Sequence, residues 1–482
     1  MGVQEKFAAM RFNDRPIAVP MLDNEALVLE QGAITADYEN KPGQRLSDLH
    51  PNIADFRMIP TERYFSADEA KKEWDRLWTK AWLVAGRASD IPNVGDWFRF
   101  EIGAESLIIV RSATNKVQAF YNTCKHRGNE LVNEDFGKAA QAFTCIVHSW
   151  RWNLAGRNVR VTDRENFSPE VLCGDLNLSA VHAHEWGGFV FINMAENPVS
   201  FEEYYGPLLP MLASYKMEDM FVVKDLSVEV PANWKTVTNV FNESYHAHAT
   251  HPQIKPSVDD YYIQSDFYPN GHNRHLFPIG VVSPRWPDDE TVNDSLAYFL
   301  MEAGVDPASY KGDAKTVRRA LQRAKRQPDN PYGLDYGGYT DNQLTDDWNP
   351  SLFPNVTLNL HPEGVLFMRM RPHPTNPERA FYDAWVLSAR LGPGQRPPAY
   401  MGVEPDVDVT GATRPARLRT TSEDPRGGDV VDQDVANMVT LQKGMHSRGL
   451  GGFIRLSEQE KRIQHFYAEL ELYLTGPKGD GK

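Results

Sequence analysis

Two short segments each pair one cysteine with one histidine: Cys124-Lys125-His126 and, after eighteen further residues, Cys145-Ile146-Val147-His148. Four soft or borderline donors on two loops are what a metal centre needs. Thiolates bring negative charge to iron or zinc, whereas neutral imidazole donates without charge. A [2Fe–2S] centre with two Cys on one iron and two His on the other has a higher reduction potential than an all-Cys cluster, which suits an electron relay. The competing reading is structural zinc. Zinc pairs usually group like ligands on each arm, as C-x₂₋₄-C and H-x₃₋₅-H, whereas each arm here is mixed, which favours the iron–sulfur centre. The third and last cysteine, Cys173, has no Cys or His beside it and is expected to be a buried, inert thiol. Three cysteines make no disulfide framework, and the count is consistent with a reducing compartment.

A second constellation lies between Asn233 and Pro252, where Glu243, His246, His248 and His251 fall close together. Two imidazoles and one carboxylate on one face of Fe(II) leave positions open for O₂. Residues five apart lie about 140° apart on a regular α-helix, so His246 and His251 share a face only if the helix widens or ends between them. Pro252 marks such an end. His248 and His251, three apart, suit a regular helix better. No further acid follows within reach, so the carboxylate must come from elsewhere in the chain.

Cys-Lys-His-Arg-Gly at 124–128 and Cys-Ile-Val-His-Ser-Trp at 145–150, followed by Trp152 and Gly156, resemble the Rieske signature of the ring-hydroxylating oxygenase large (alpha) subunits. Ile146-Val147 replaces the usual Pro-Tyr and Ser149 the usual Gly, and neither change removes a ligand. Carried over position by position, the resemblance makes His246 and His251 the imidazole ligands of a mononuclear iron. His248 remains as competitor or pocket wall. Glu243 stands where most members have Asp, and in the family that acid bridges a cluster His of one subunit to an iron His of its neighbour. The implied relay is His148, Glu243, His246. The third ligand is an Asp early in a late helix, matched by Asp434 with Asn437, Gln442 and Gly444 behind it, and Asp432 competes for the role.

The resemblance runs from Ile59 to Thr475. It implies an α+β chain: an all-β Rieske domain joined to a helix-grip (START-like) catalytic domain with an antiparallel sheet. One [2Fe–2S] cluster, one mononuclear Fe(II) and O₂ as co-substrate would come with it. So would a ferredoxin or flavin reductase fed by NAD(P)H, and a head-to-tail homotrimer with or without a beta subunit. The leading substrate is an aromatic or other apolar ring, mono- or dioxygenated. The Glu243 variant also resembles members that oxidise quaternary amines such as carnitine or betaine. Two readings of another class remain, a non-catalytic electron carrier and a zinc-stabilised ligand-binding protein.

These residues need a scaffold to position them. A chain of 482 residues exceeds what one core holds and predicts two or three domains. Hydrophobic content of 41% supplies the cores, and a net charge of −14 argues against nucleic acid as partner. The absence of an 18-residue apolar run and of a secretory h-region points to the cytoplasm. Residues 1–85 read as an N-terminal arm and a helix, packing on the catalytic domain. The arm, 1–60, is extended, and the helix runs Ser66–Trp82 with Ser66 and Glu69 as a capping box. Residues 86–200 read as the Rieske domain, with strands at Asp96–Ile102, Ser106–Arg111, Val117–Asn122 and Gly187–Ile192. Residues 201–476 read as the catalytic domain. Its helices are Asn233–His248, Ser295–Ala303, Thr316–Arg326, Val431–Gly444 and Ser457–Thr475, and strands at Leu352–Leu360 and Val365–Arg371 line an apolar pocket. Residues 477–482 read as a disordered tail. The long connection 282–345 is of the kind that forms lids or channel walls. Arg318, Arg319, Arg323, Lys325 and Arg326 read as a solvated helix face or a dock for an acidic ferredoxin.

Overall fold

The computed structural model describes residues 44–480. Of the arm expected over 1–60, residues 1–43 lie outside the described residues, as do the last two of the chain; the described part is not extended throughout, since Leu46–Leu49 and Ile53–Arg57 are helical. The described chain divides into two compact units, one of 62–219, 371–381 and 469–480, the other of 44–61, 220–370 and 382–468.

The first unit is built on ten strands: Leu83–Arg87 (β1), Asp96–Ile102 (β2), Glu105–Ala113 (β3), Lys116–Tyr121 (β4), Phe136–Lys138 (β5), Ala142–Thr144 (β6), Arg151–Asn153 (β7), Asn158–Arg160 (β8), Ala180–Trp186 (β9) and Phe189–Asn193 (β10). Seven form one sheet in the order β1-β10-β9-β4-β3-β2-β5, and β6-β7-β8 form a small second one. Leu107 to Val110 on β3 are all buried. That continuous apolar run marks a strand covered on both faces. Trp97, Ile108, Phe120, Phe143, Trp150 and Trp152 pack into one cluster with Cys124 and Cys145. The cysteine loops are therefore rooted in core. The helix expected over Ser66–Trp82 starts as read, with Ser66 Oγ accepting the Glu69 N–H at 3.3 Å. It is α-helical only over Ala67–Glu73, then widens to a π turn at Trp74–Trp78, because Leu77 and Trp78 must reach the core just before β1 begins. Pro477–Asp480, expected as tail, forms a 3₁₀ turn, with Arg76 paired to Asp480 at 3.0 Å.

The second unit holds an eight-stranded sheet. Its strands are Phe221–Val230 (β11), Gln264–Phe267 (β12), Asn273–Phe277 (β13), Asp347–Leu352 (β14), Val356–His361 (β15), Gly364–Pro372 (β16), Ala380–Ser388 (β17) and Leu418–Thr421 (β18), in the order β12-β13-β14-β15-β16-β17-β11-β18. From β12 to β16 the pairing is antiparallel, as expected, whereas β18 runs parallel to β11, so the sheet is mixed. Six helices matter to the site: Trp234–Val240 (α1), Ala247–Thr250 (α2), Asp294–Glu302 (α3), Ala314–Lys325 (α4), Asp429–Met445 (α5) and Lys461–Leu474 (α6). Asn233 caps α1 by accepting the Lys235 N–H, and Gln442 Oε1 on α5 accepts the Asn233 N–H at 3.0 Å and the Thr236 hydroxyl at 2.9 Å. Those bonds tie the late helix to the start of the histidine segment. A capping box of Ser457 and Glu460 precedes α6.

The basic stretch on α4 is not a uniformly solvated face. Ala314, Val317, Arg318 and Leu321 fall on its buried stripe, so Arg318 is carried inside and pairs with buried Asp346 at 2.8 Å. Lys325, about two turns further on, meets buried Glu363 at 2.8 Å. Arg319, Arg323 and Arg326 alone of the five are exposed. Among the described residues no helix is long and apolar enough to cross a membrane. Removing one partner of a buried ion pair leaves an uncompensated charge, which costs about 3–5 kcal/mol. Arg318→Ala should therefore lower the thermal midpoint by several degrees in a calorimetric scan, where Arg319→Ala should not.

Candidate metal centres

The two cysteine loops repeat one backbone device. After Cys124 the chain turns so that Gly128 N–H bonds the Cys124 carbonyl at 2.9 Å, while Cys124 N–H bonds Asn129. After Cys145, Ser149 N–H bonds the Cys145 carbonyl at 2.9 Å and Cys145 N–H bonds Trp150. Each turn ends on a left-handed residue, Gly128 at φ +80° and Ser149 at φ +59°. That is why the family's usual Gly at 149 is informative: only Gly takes this conformation without a Cβ penalty. Both thiols are buried, and burial raises the Cys124 thiol above its ordinary pKa. His148 is exposed and His126 half-buried, with their Nδ1 atoms 3.2 Å apart. His126 stacks on Trp150 at 5.0 Å. Two thiolates inside and two convergent imidazole nitrogens at the rim match the donor set of a Cys₂His₂ [2Fe–2S] cluster. Cys173 corrects an expectation. It is exposed, because it sits in the irregular segment between β8 and β9, where its thiol faces the Glu170 carbonyl at 2.7 Å.

In the second unit His246, His251 and Asp434 come together, their ligand atoms within 4.8 Å of one another. The five-residue spacing is reconciled by a helix of a single turn: α2 covers Ala247–Thr250 only, with His246 at its N-cap and His251 at its C-cap, φ −119° and ψ 59°. The expected helix 233–248 is accordingly broken between α1 and α2, and Glu243 stands in the break. Asp434 Oδ1 lies 3.3 Å from His246 Nε2 and 2.9 Å from His251 Nε2. The far nitrogens are also engaged. Glu243 holds His246 Nδ1 through Oε1 and accepts the His246 backbone N–H through Oε2 at 3.0 Å, while Gln433 Oε1 lies 2.7 Å from His251 Nδ1. Carboxylate or amide oxygens on Nδ1 fix the tautomer that presents Nε2 to a metal. Asn437 donates to Thr250 Oγ1 at 2.8 Å and locks α5 to α2.

Burial works to lower the His246 pKa, but Glu243 and Asp434 outweigh it and raise it to about 10. Asp434 is fully buried yet held below the usual carboxylate range, because both imidazoles outweigh the burial. A cavity that holds positive charge this firmly, with two nitrogens and one oxygen around a single point, fits a divalent cation of the 2-His-1-carboxylate type. The competitors lie elsewhere. Asp432 accepts the Gly427 N–H at 2.7 Å, and His248 packs near Tyr245 with ring centroids 5.9 Å apart. Glu243 meets His246 within the chain, as the implied relay requires of its intrachain half.

The centre opens on a cavity of about 510 Å³. Helix α3, from the long 282–345 connection, contributes Tyr298 and Phe299 to its wall. Its sheet floor differs from the apolar lining expected of these strands: Leu366 and Met368 are joined there by Asp347, Asn349 and Asn359. Gln433 and Asp347 were not legible as site residues. Gln433 carries no signal beyond its place beside Asp434, and Asp347 opens a strand whose sequence, DWNPSL, lacks alternation.

Family models match both units: "Ring hydroxylating alpha subunit (catalytic domain)" over residues 217–476 and "Rieske [2Fe-2S] domain" over 81–172. The chain belongs to the ring-hydroxylating alpha-subunit family of Rieske non-haem iron proteins. Its relatives include the carnitine monooxygenase oxygenase subunit of Escherichia coli (strain K12), 32% identical over 206 residues that cover 42% of this chain and 54% of that one. The glycine betaine monooxygenase oxygenase subunit of Pseudomonas aeruginosa (strain UCBPP-PA14) is 30% identical over 287 residues, 59% of this chain and 66% of that one. The match thus spans about half the length of the first relative and just under two thirds of the second. In fold the chain is similar to the quaternary ammonium Rieske monooxygenase CntA, with a TM-score of 0.62 and 18% identity over 87% of this chain and 97% of that one. It is also similar to naphthalene 1,2-dioxygenase from Rhodococcus sp., with a TM-score of 0.59 and 14% identity over 89% and 97%.

The turn geometry makes a prediction of opposite signs. Gly128→Ala should cost about 1 kcal/mol, from backbone strain alone, since an added Cβ meets nothing within 4 Å. Ser149→Gly should be neutral or stabilise by up to about 1 kcal/mol. Thermal midpoints of the two variants check this, and destabilisation by Ser149→Gly would contradict the strained-turn account.

Proposed function

We propose that this chain is the oxygenase component of a Rieske system that inserts oxygen into a C–H bond beside the nitrogen of an N-methylated ammonium compound. The observation that carries the reading is the meeting of His246, His251 and Asp434 at a cavity whose rings include Phe241, Phe277, Phe299 and Tyr400. Aromatic faces attract quaternary ammonium groups. The names of the relatives, carnitine and glycine betaine monooxygenases, favour an amine over the aromatic hydrocarbon first expected.

In this reading His246, His251 and Asp434 hold a mononuclear Fe(II), and Cys124, His126, Cys145 and His148 hold the [2Fe–2S] cluster. When bound, the cluster relays single electrons and the iron binds and activates O₂. The protein's own part is positional. Glu243 and Gln433 keep the imidazoles turned with Nε2 inward, Asp434 supplies the charge between them, and the cavity wall orients the C–H bond and limits water. In the overall reaction one oxygen atom enters the C–H bond and the other leaves as water with two electrons and two protons. The resulting carbinolamine breaks at C–N to an amine and a carbonyl compound. Electrons would come from a reductase, directly or through a ferredoxin. A head-to-tail trimer would bring Glu243 to His148 of the partner subunit. Three free thiols, all in the first unit, and no disulfide suit a reducing cytoplasm.

Purified protein should contain about three iron atoms and two acid-labile sulfides per chain. His251→Ala should lose about one iron and all substrate-dependent O₂ uptake, while keeping the visible absorption of the cluster. A colourless protein holding a single zinc would establish the ligand-binding alternative, and unchanged activity in His251→Ala would establish the electron carrier.

A further inference from the structure

We propose that Asp347 is the residue that selects the substrate, by pairing with the positive head of an organic cation that carries no acidic group of its own. This rests on the amine reading above and narrows it.

Asp347 opens β14 on the cavity floor and is only 7% exposed. Its Oδ2 accepts from Asn359 Nδ2 on the neighbouring strand, but its Oδ1 is buried without a hydrogen-bond partner. A buried carboxylate oxygen left unpaired costs free energy that a bound cation or donor returns. Besides Asn359, the Leu360 backbone N–H acts on the carboxylate, and the protein supplies little more. His361 Nε2 is 3.7 Å away, beyond hydrogen-bond reach, and lies 2.9 Å from Tyr400 Oη instead. Burial holds His361 down to about 4, so it is neutral at physiological pH. Arg462 on α6 also acts on Asp347, yet its guanidinium is fully buried and committed to Asn273, Asn349 and Ser351. Even with Arg462 near, burial raises Asp347 to about 7. A cation bound at Oδ1 would favour its charged form.

The surroundings have the chemistry of a cation site. Phe277 pairs directly with Asp347 across β13 and β14, placing a ring beside the carboxylate on the same face of the sheet. Tyr298, Phe299 and Tyr400 line the same cavity. The lining contains four carboxylates, Glu243, Asp294, Asp347 and Asp434, and neither Arg nor Lys. Apart from the iron site, whose Glu243 and Asp434 are committed to the imidazoles, a substrate carboxylate or sulfonate would find no basic side chain in the lining and would face Asp294 and Asp347, whereas a simple ammonium finds both rings and anion. Zwitterions such as glycine betaine are predicted to be poor ligands even though relatives of this chain are named for them.

The test is calorimetric titration of the metal-loaded protein with choline, with glycine betaine, and with dimethylbutanol, the uncharged isostere of choline. Choline should bind about tenfold or more tightly than either of the others. Asp347→Asn, which keeps shape and removes charge, should weaken choline by a similar factor and leave dimethylbutanol unchanged, with iron content and cluster absorption unaltered. Should that variant fail to fold, the choline-to-isostere ratio on the unmodified protein still decides. Glycine betaine binding as tightly as choline, or dimethylbutanol doing so, overturns the proposal and leaves the amine reading standing. Binding of none of the three, with O₂ uptake evoked by an aromatic hydrocarbon, overturns both.

Discussion

Two imidazoles turn the same nitrogen toward one carboxylate oxygen, and the second unit is organised to keep them there. Asp434 Oδ1 is within 3.3 Å of both Nε2 atoms in a buried setting, where neither ring would stay if its other nitrogen were free to rotate into a bond elsewhere. Glu243 and Gln433 remove that freedom from opposite sides. The longer-range ties serve the same point. Gln442 fastens α5 to the start of α1, and Asn437 fastens it to α2, so the helix bearing the carboxylate is tied at two points to the segment bearing the imidazoles. Electrostatics agrees with geometry: the site raises an imidazole pKa and lowers a carboxylate's, which is the behaviour of a place made for positive charge.

The two cysteine loops, proposed to carry the electron relay, solve a different problem with more rigid means. Thiols must be shielded and imidazoles must reach the surface, and a tight turn ending on a left-handed residue does both within five residues. Because the two loops share one hydrogen-bond pattern, the change from C-x-H to C-x-x-H alters which turn residue bears the imidazole without altering the turn. The pair Ile146-Val147 is consistent with this, since both side chains are exposed while the turn is closed by backbone bonds.

Much of this was legible in residue types and spacing, and the exceptions have physical causes. The four proposed cluster donors fall in two short motifs, so local sequence brings them together. His246 and His251 were readable from the motif, but a regular-helix period argued against them. The structure resolves that by breaking the helix, a tertiary choice enforced by Glu243 and α5 that no periodicity encodes. The preference for Asp434 over Asp432 likewise depends on which helix face turns inward, and of the two only Asp434 is buried. Burial decided the remaining cases: Arg318 and Lys325 read as surface charges because their partners, Asp346 and Glu363, are distant in sequence, and Cys173 read as core because a lone cysteine usually is. Asp347 is the instructive miss, a carboxylate whose proposed role arises from a cavity assembled by several elements distant in sequence.

The account depends most on Asp434 as the shared ligand, and nitric oxide binding to the reduced protein tests it most directly. Electron paramagnetic resonance should give a high-spin ferrous–nitrosyl signal in the unmodified protein. In Asp434→Ala that signal should vanish while the rhombic signal of the reduced cluster persists. Retention of the nitrosyl signal at full intensity in Asp434→Ala would contradict the assignment.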